Sequence, residues 1–343
     1  MESQRAKLKK KLYNFLRGIN KMDILMIGDS TIDEFLKIDE AEVTCSKDEV
    51  NCKISLPFGT KIPVSFYSTS IAGNSINTGV GLSKLGLKVS LDSEVGFDAF
   101  GNQIISELNK RGVDTKFVRL NENKITNVHQ IIFFQDERTI LTYHEKYNYE
   151  LKNWGYKPKM IHYSSQAGNF ENYMDSLIDY INENRDIIVS FNPGSSQMKL
   201  GSAKLNKFFS VCDILFVNDE EARIITGKTK VLEQHEELKN RGVKMSVITL
   251  GKKGSSVFSE GKIFNLGILD EKIEIKDKTG AGDSHSAGFL AGIFYNKSME
   301  EALKWGTLNS AYCLREVGAV NGILTKNEIE EKIKTSKFRE FTE

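Results

Sequence analysis

The sequence predicts an α/β fold in which a mostly parallel central sheet carries helices on both faces. Short apolar runs such as "DILMIGD" (23–29) and "DIIVSF" (186–191) have the length and composition of buried strands. Segments with helical periodicity lie between such runs, for example "AFGNQIISELNKRG" and "YMDSLIDYINEN". Because alternating strands and helices form right-handed βαβ units, their sheet is parallel and covered on both sides. We therefore expect a three-layer sandwich.

The sequence also predicts a second, smaller sheet. Residues 43–69 show strand-like alternation without a helical period, and a second strand-rich patch follows at 127–144. We interpret these as lid strands, at about 36–70 and 127–146, that project from the main sheet. Elsewhere strands and helices alternate up to a helix that starts near Asp283. Because the chain has only 4 prolines and no polar linker, residues 23–335 are expected to form one domain with a small β-sheet lid.

Length and composition are those of an ordinary globular protein. At 343 residues the chain can form one large α/β domain. Its formal net charge of +1 gives no general attraction to nucleic acid or membranes, so neither is expected as a partner. The four cysteines lack CxxC spacing and the five histidines are dispersed, which argues against a zinc site. This cysteine usage predicts a reduced, cytoplasmic location, although Cys45 and Cys52 could pair or share a metal.

Residues 1–22 are predicted to form a distinct N-terminal extension. Leu8, Leu12, Phe15 and Ile19 recur at helical spacing beside several lysines, which predicts a basic amphipathic helix. The segment lacks the apolar core of a signal peptide, and no later run is long enough to span a bilayer. Such a helix can bind membranes or nucleic acid, but we favour one that lies on its own domain and is dispensable for chemistry.

Polar residues and glycines follow the predicted strands where each strand ends. They are Gly28, Asp29 and Asp33, then 192–194, 218–221 and 251–254, and finally "DKTGAGD" at 277–283. In open parallel sheets, ligands bind at the carboxyl ends of the strands. A binding cleft is therefore expected at this edge of the sheet.

The stretch "TGAGD" at 279–283 has the composition of an anion-binding helix start. Gly280 and Gly282 allow the backbone to approach a ligand closely. The helix that begins near Asp283 would direct its free N–H groups and positive dipole end at that ligand. Such a site stabilises charge on a phosphoryl group in transfer, and the carboxylate of Asp283 could accept the proton of an attacking hydroxyl. Alternatively, Asp283 simply caps the helix, as aspartate commonly does.

This stretch and its companions closely resemble the motifs of the PfkB, or ribokinase-like, carbohydrate kinases. "TGAGDSHSAGF" at 279–289 resembles the family's C-terminal signature, D-T-x-G-A-G-D-x-F-x-A-G. "AGNSINTGVGLSKLG" at 72–86 is similar to its N-terminal signature, with Asn77 at the family's asparagine. Three shorter motifs occur in the family's order: "VGFDAFG" at 95–101, "NDEE" at 218–221 and "TLGKKG" at 249–254. The resemblance covers residues 23–325.

The resemblance implies a ribokinase-like fold and an ATP-dependent sugar kinase, which transfers the γ-phosphoryl group to a hydroxyl of a carbohydrate. It implies that Asp283 is the catalytic base. The backbone of the anion hole would be formed by Gly280, Ala281 and Gly282. The substrate hydroxyls would be held by Asp33, Gly73 and Asn77. The nucleotide site would comprise Asn218, Glu221, Thr249, Gly251 and Gly254, with Asn309 bordering the adenine.

The resemblance also implies cofactors and a partner. Glu221, with Asn218, would organise Mg²⁺ and the nucleotide phosphates through water. Family members often hold a monovalent cation such as K⁺ near the anion hole, and their lid often forms a dimer interface, so a homodimer through the lid is expected. A Walker A motif is absent, but phosphoryl transfer requires positioning and charge stabilisation that other loops can supply.

Three residues depart from the family's pattern. Lys278 stands where a small or β-branched residue is usual and His285 stands where phenylalanine is usual; we favour local substitutions over new catalytic roles. Asn74 replaces the lysine of ribokinases proper, which weakens ribose as the acceptor. In the lid, Arg138 and Tyr143 could contact a substrate or pair across the lid sheet.

Other functions stay open at this point. A nucleoside kinase of the adenosine type uses the same scaffold, and the mixed aromatic residues of the lid do not distinguish it from a sugar kinase. A catalytically silent sugar- or nucleotide-binding protein would be expected to lack the base or the anion-hole glycines, which are present here. A dinucleotide oxidoreductase would need GxGxxG after the first strand, and "IGDSTIDEF" lacks it. The sequence does not identify the acceptor.

Overall fold

The structure, a computed structural model, describes residues 22–46, 52–135 and 137–342. The predicted N-terminal helix lies outside these residues. The described strands are, in chain order, β1 (Ile24–Ile27), β2 (Thr31–Ile38), β3 (Glu42–Cys45), β4 (Cys52–Ser55), β5 (Val64–Ala72), β6 (Val89–Gly96), β7 (Val113–Asn121), β8 (Asn127–Phe134), β9 (Glu137–Tyr143), β10 (Met160–Tyr163), β11 (Ile188–Phe191), β12 (Ile214–Asn218), β13 (Met245–Thr249), β14 (Ser255–Ser259) and β15 (Lys262–Leu266).

A large, mostly parallel sheet lies at the centre of the described residues. Its spatial order is β15-β14-β13-β12-β11-β10-β1-β6-β7. The strands from β13 to β7 pair in parallel, whereas β14 and β15 are antiparallel additions at one edge. The run "ILMI" of β1 is buried throughout, as expected for a central parallel strand with both faces covered. The predicted parallel α/β sheet is confirmed.

Helices connect these strands. They are α1 (Asn74–Lys84), α2 (Ala99–Lys110), α3 (Glu171–Glu183), α4 (Ser195–Met198), α5 (Ser202–Phe209), α6 (Asp219–Thr226), α7 (Val231–Asn240), α8 (Ala281–Phe294), α9 (Met299–Cys313) and α10 (Lys326–Lys332). Of the described helices, none combines the length and the apolar character needed to cross a membrane.

Two apolar cores lie on opposite faces of the central sheet. Ile24 and Met26 belong to one core, which also contains residues of α1, α8 and α9. Leu25 and Ile27 belong to the other, which also contains residues of α3, α5 and α7. Because successive side chains of a strand point to opposite faces, the single run of β1 contributes to both cores. The result is the predicted three-layer sandwich.

Helix α8 packs against α9 at very short range. A Cβ atom placed on Gly288 would lie 2.5 Å from the backbone oxygen of Trp305, so a side chain there would push the two helices apart. Phe289 of α8 and Trp305 of α9 are both fully buried beside this contact. The small residues after "TGAGD" thus serve to hold α8 firmly against the core.

A second sheet stands apart from the central one, in the spatial order β5-β2-β8-β9. Strand β2 pairs in parallel with β8, while β5 and β9 are antiparallel to their neighbours. This small sheet agrees with the predicted accessory sheet, and its strands fall in or near the two segments assigned to the lid. We call it the lid.

A short hairpin of β3 and β4 adjoins the lid segments, and its two strands are joined by a disulfide between Cys45 and Cys52. Of the two alternatives that the sequence left open for these cysteines, pairing is the one observed. The interpretation of the cysteines as a reduced set is corrected at these two positions, because hairpin register places them directly opposite each other. Cys212 and Cys313 are free and buried.

Candidate active site

A cleft of about 290 Å³ opens between the carboxyl edge of the central sheet and the lid. The sequence-predicted residues that line it are Asp33, Gly73, Asn77, Asn218, Glu221, Thr249, Gly280, Ala281, Gly282 and Asp283. The fold brings these residues together from widely separated parts of the chain, because parallel strands all end at the same edge of the sheet.

The start of α8 forms one wall of the cleft. Gly280 precedes the helix with a φ of 75°, a left-handed conformation that glycine adopts without strain. A Cβ atom on Gly280 would lie 2.2 Å from the Cβ of Ala319, whereas one on Gly282 would meet no atom within 4 Å. Gly280 is therefore required for the turn, and Gly282 faces open space. The first N–H groups of a helix have no intrahelical partner, so this wall offers hydrogen-bond donors to an anion.

Asp283 does not cap the helix. Gly280 occupies the capping position, and no side chain bonds to the N-terminus of α8 there. The Asp283 carboxylate instead accepts a hydrogen bond from Asn77 Nδ2 at 2.8 Å. Asn77 lies on α1 and is buried, and its Oδ1 atom has no partner among the described residues. The alternative that Asp283 is only a cap is therefore not supported.

The Asp283 carboxyl is tuned toward neutral pH. Burial raises its pKa to about 7; the hydrogen bond from Asn77 opposes this shift, and the negative charges of Glu221 and Asp33 add to it. A carboxylate whose pKa lies near the working pH can both take and release a proton. The position beside free N–H groups and the raised pKa together fit a general base.

The "NDEE" motif has a structural and a chemical aspect. Asn218 ends β12 and caps α6: its Oδ1 accepts from Glu221 N, and Glu221 Oε2 accepts from Asn218 N, both at 2.9 Å. This reciprocal pair is a capping box, which explains the local spacing. Burial raises the pKa of Glu221, with Glu220 adding to the shift and the Asn218 backbone opposing it.

The residues present fit a magnesium ion held mainly by phosphates. Within the described ranges, no group of three or more His, Cys, Asp or Glu side chains could hold a metal by itself. Mg²⁺ commonly keeps several waters and binds through one or two carboxylates together with substrate phosphates. The half-buried Glu221 at the cleft wall fits such a role.

Gly251 and Gly254 shape a turn beside the cleft rather than its wall. Both have positive φ values, of 57° and 108°, and Leu250 N donates to Gly254 O at 2.8 Å across the turn. Of this predicted "TLGKKG" segment, Thr249 lines the cleft. The two glycines lie next to it and set the direction of the chain between β13 and β14.

The structure does not support the prediction that Asn309 borders the adenine. Its side chain is fully buried. Its Nδ2 donates to the backbone oxygen of Ser284 at 2.8 Å, and its Oδ1 accepts from Leu324 N at 3.1 Å. With both amide groups occupied, Asn309 fastens α9 to the first turns of α8 and supports the anion-binding wall from behind.

The end of the cleft beside Asp33 contains polar residues to which the sequence assigned no individual role in the site. His129 on β8 lies opposite Asp33 on β2, and its Nδ1 is 3.2 Å from Asp33 Oδ1. Asn74 Nδ2 donates to Asn192 Oδ1 at 3.2 Å. Asn192 was visible in the sequence as a polar residue after a strand. His129 carried no signal beyond strand alternation, because its position depends on the register of β8 with β2.

The two off-pattern residues near Asp283 differ in environment. Lys278 is exposed and lines the cleft. His285 is buried, with its Nε2 3.2 Å from Ser255 Oγ, and burial lowers its pKa to about 4. His285 thus faces the protein core, which agrees with a local substitution.

The loop before the anion-binding wall is organised by Asp277. Its Oδ1 accepts from Thr279 N at 2.8 Å and Thr279 Oγ1 at 2.7 Å, and its Oδ2 accepts from Gly318 N at 3.0 Å. Arg138 reaches across from β9 and donates to Asp277 Oδ1 at 3.0 Å. Arg138 therefore pairs with the main domain, while Tyr143 bonds to Glu145 at the surface.

Solved structures share this architecture. The ribokinase of Arabidopsis thaliana, complexed with ribose and ATP, superposes with a TM-score of 0.77 at 19% identity, over 92% of this chain and 99% of that one. The nucleoside kinase of Burkholderia thailandensis, in complex with inosine, gives a TM-score of 0.72 at 16% identity, over 91% and 96%. These similarities confirm the ribokinase-like fold.

Sequence relatives are kinases of small molecules. The chain is 25% identical over 316 residues to the ATP-dependent 6-phosphofructokinase of Thermoanaerobacterium thermosaccharolyticum, covering 88% of this chain and 90% of that protein. It is 24% identical over 316 residues to the nucleoside kinase of Methanothermobacter thermautotrophicus, covering 88% and 92%. A model of the pfkB family of carbohydrate kinases matches residues 33–326, so the chain belongs to the pfkB family of carbohydrate kinases and is a phosphotransferase.

Proposed function

We propose that the protein is an ATP-dependent kinase that transfers the γ-phosphoryl group to a hydroxyl of a carbohydrate. The observation that carries this proposal is the position of Asp283. Its carboxyl has a pKa raised to about 7, is bonded to Asn77, and stands in the first turn of a helix whose free N–H groups face the same cleft. Base and anion-binding wall are thus side by side.

The proposed transfer uses each of these parts. The acceptor hydroxyl is held by Asp33, Gly73 and Asn77, and Asp283 takes its proton as the acceptor oxygen bonds to the γ-phosphorus. The bond from the γ-phosphorus to the bridging oxygen breaks, and ADP leaves with that electron pair. The N–H groups at 280–282 and the dipole of α8 stabilise the charge on the phosphoryl oxygens.

The nucleotide is proposed to lie beside Asn218, Glu221 and Thr249, with the turn at 251–254 at its edge. Bound Mg²⁺, held by Glu221 through water, would neutralise charge on the phosphates. A monovalent cation such as K⁺ near the anion hole is a further proposal. The rate measured with EDTA, and with Na⁺ in place of K⁺, tests these two ions separately.

A nucleoside kinase is the second candidate, and one observation favours it. Ile131 and Ile140 of the lid line the same cleft as the polar residues at its acceptor end. A wall with apolar patches above a polar floor would suit a sugar that carries a planar base. A catalytically silent binding protein is less well supported, because Gly280, Gly282 and Asp283 are all present and arranged for chemistry.

The deciding experiment measures ADP release with ATP and a panel of pentoses, hexoses, sugar phosphates and nucleosides. The proposal expects acceptor-dependent ADP release with at least one sugar or sugar phosphate, and no such release by Asp283→Asn. Release with nucleosides alone would replace the first candidate by the second. Tight ligand binding without any transfer would favour the silent protein, and full activity of Asp283→Asn would remove the proposed base.

A homodimer through the lid and a cytoplasmic location stay predictions. The lid exposes several large apolar side chains, among them Phe66, Tyr67 and Leu141, and an exposed sheet edge benefits from cover. Light scattering of the full chain, compared with a Phe66→Ser and Leu141→Ser double variant, tests the dimer. A monomer in both would contradict it.

A further inference from the structure

The lid and the anion-hole loop are joined through one side chain. Arg138 lies on β9, one of the two edge strands of the lid. Its Nη1 donates to Asp277 Oδ1 at 3.0 Å and to Thr279 Oγ1 at 2.5 Å. Thr279 directly precedes Gly280, the capping residue of α8. The contact therefore runs from the lid to the residue next to the anion-binding wall.

The burial of Asp277 distinguishes this contact from a surface ion pair. The Asp277 side chain is 1% exposed, and that of Arg138 is 29% exposed. The other donors that Asp277 meets in the described residues are uncharged, namely the groups of Thr279 and the N–H of Gly318. A buried carboxylate that loses its cationic partner keeps the cost of desolvation without compensation. The loop thus depends on a positive charge that the lid supplies.

We propose that Arg138 is a positioning residue that couples closure of the lid to ordering of the anion hole; this rests on the proposed kinase function. With the lid over the cleft, the guanidinium neutralises Asp277 and fixes Thr279, so the N–H groups at 280–282 point at the transferred phosphoryl group. With the lid displaced, Asp277 loses its counter-charge and the loop relaxes. The anion hole is then complete only when the acceptor is enclosed, which restrains transfer to water.

The kinetic test compares Arg138→Ala with Lys37→Ala, which removes an exposed positive charge from lid strand β2. In Arg138→Ala we expect kcat to fall by about ten- to a hundredfold, because the misplaced loop weakens transition-state binding. The KM for ATP should change by less than about twofold, since the loop acts after binding. Guanidinium chloride at low concentration should restore part of this kcat, while Lys37→Ala should match the wild type with and without it.

A second measurement does not depend on turnover. Amide hydrogen exchange at 277–283 should be faster in Arg138→Ala than in the wild type, and unchanged in Lys37→Ala. Unchanged exchange and unchanged kcat in Arg138→Ala would overturn the coupling, as would an equal loss in Lys37→Ala. Faster exchange with a wild-type kcat would mean that Arg138 stabilises the loop without affecting transfer, and this result too would overturn the coupling.

Failure of the coupling is separable from failure of the proposed function. A wild-type protein that transfers no phosphoryl group to any acceptor contradicts the kinase proposal, while the exchange comparison still decides whether Arg138 orders the loop. If Arg138→Ala does not fold, Arg138→Lys decides instead. Lysine keeps the charge but not the planar group that bonds Asp277 and Thr279 together, so kcat and exchange should be intermediate; wild-type values for both would refute the proposal.

Discussion

Replacing Asp283 with asparagine is expected to stabilise the folded protein at pH 8 while abolishing turnover. Burial raises the pKa of Asp283 from its ordinary 3.8 to about 7, and nearby negative charges on Glu221 and Asp33 add to the shift. The folded protein therefore disfavours the charged form. Asparagine has nearly the same shape, carries no charge, and can still accept the hydrogen bond from Asn77.

The size of the gain follows from the shift. One pKa unit corresponds to about 1.4 kcal/mol. A shift of about three units therefore limits the gain in the free energy of unfolding to about 4 kcal/mol. Because Asp283 borders a solvent-filled cleft and is only partly buried, we expect about 1–3 kcal/mol. The folded pKa lies above the unfolded one, so the wild type loses stability as pH rises from about 4 to about 7. The advantage of the variant should therefore be largest above pH 7 and shrink toward acid pH.

Urea unfolding of wild type and Asp283→Asn at pH 8, 6 and 5 measures the difference between their free energies of unfolding. Asp277→Asn is the matched control, since it changes a nearby carboxylate that is paired with Arg138. It should destabilise the protein by about 1–3 kcal/mol, the opposite sign, because it leaves a guanidinium without its partner. Equal or lower stability of Asp283→Asn at pH 8, or a gap that does not vary with pH, would refute the reasoning.

Three further experiments probe the site: a pH profile, a pair of glycine substitutions and a glutamate substitution. The wild-type kcat/KM should rise about tenfold per pH unit below pH 7 and level off above it, because Asp283 must be deprotonated; a flat profile from pH 5 to 8 would exclude a base with this pKa. Gly280→Ala should lower the free energy of unfolding by about 2–4 kcal/mol, from the left-handed backbone and the clash with Ala319. In Gly282→Ala the added methyl group meets no atom within 4 Å, so the free energy of unfolding should stay unchanged while activity is lost. Equal changes in melting temperature for the two variants would contradict this contrast. Glu221→Gln should raise the Mg²⁺ concentration needed for half-maximal rate and lower kcat/KM by about ten- to a hundredfold, whereas exposed Glu220→Gln should not; identical Mg²⁺ titrations would argue against a metal role for Glu221.

Local features of the site could be predicted from the sequence. The glycine-rich turn at Gly280 and the start of α8 near Asp283 each depend on residues within one helical turn. The capping box at 218–221 was not predicted, although Asn218 and Glu221 were both assigned to the site. Short apolar runs likewise indicated the central sheet, and strand alternation indicated the lid. These predicted features depend on interactions between residues that are close in the sequence, so a short stretch of sequence is enough to predict them.

The contacts that the sequence did not reveal join distant segments. Arg138 and Asp277 are separated by 139 residues, and no local pattern links them. His129 meets Asp33 only because β2 and β8 pair in one particular register. Asn309 was expected at the nucleotide because the family resemblance implies that its helix borders the adenine, but the close packing of α8 and α9 turns its amide into the core. In each case tertiary geometry, which local pattern does not encode, determines what the side chain does.

The close contact at Gly288 has a consequence for engineering. Because α8 lies directly against the backbone of α9 at that point and is held by Asn309, the helix that lines the proposed phosphate half of the cleft is firmly packed against the core. The half that we propose binds the acceptor includes residues of the lid strands. These strands meet the rest of the domain through Arg138 and through Ile32 and Ile71, which belong to the apolar core that contains α8. Exchanging lid segments between relatives, with Arg138, Ile32 and Ile71 retained, should therefore alter acceptor preference while leaving α8 in place.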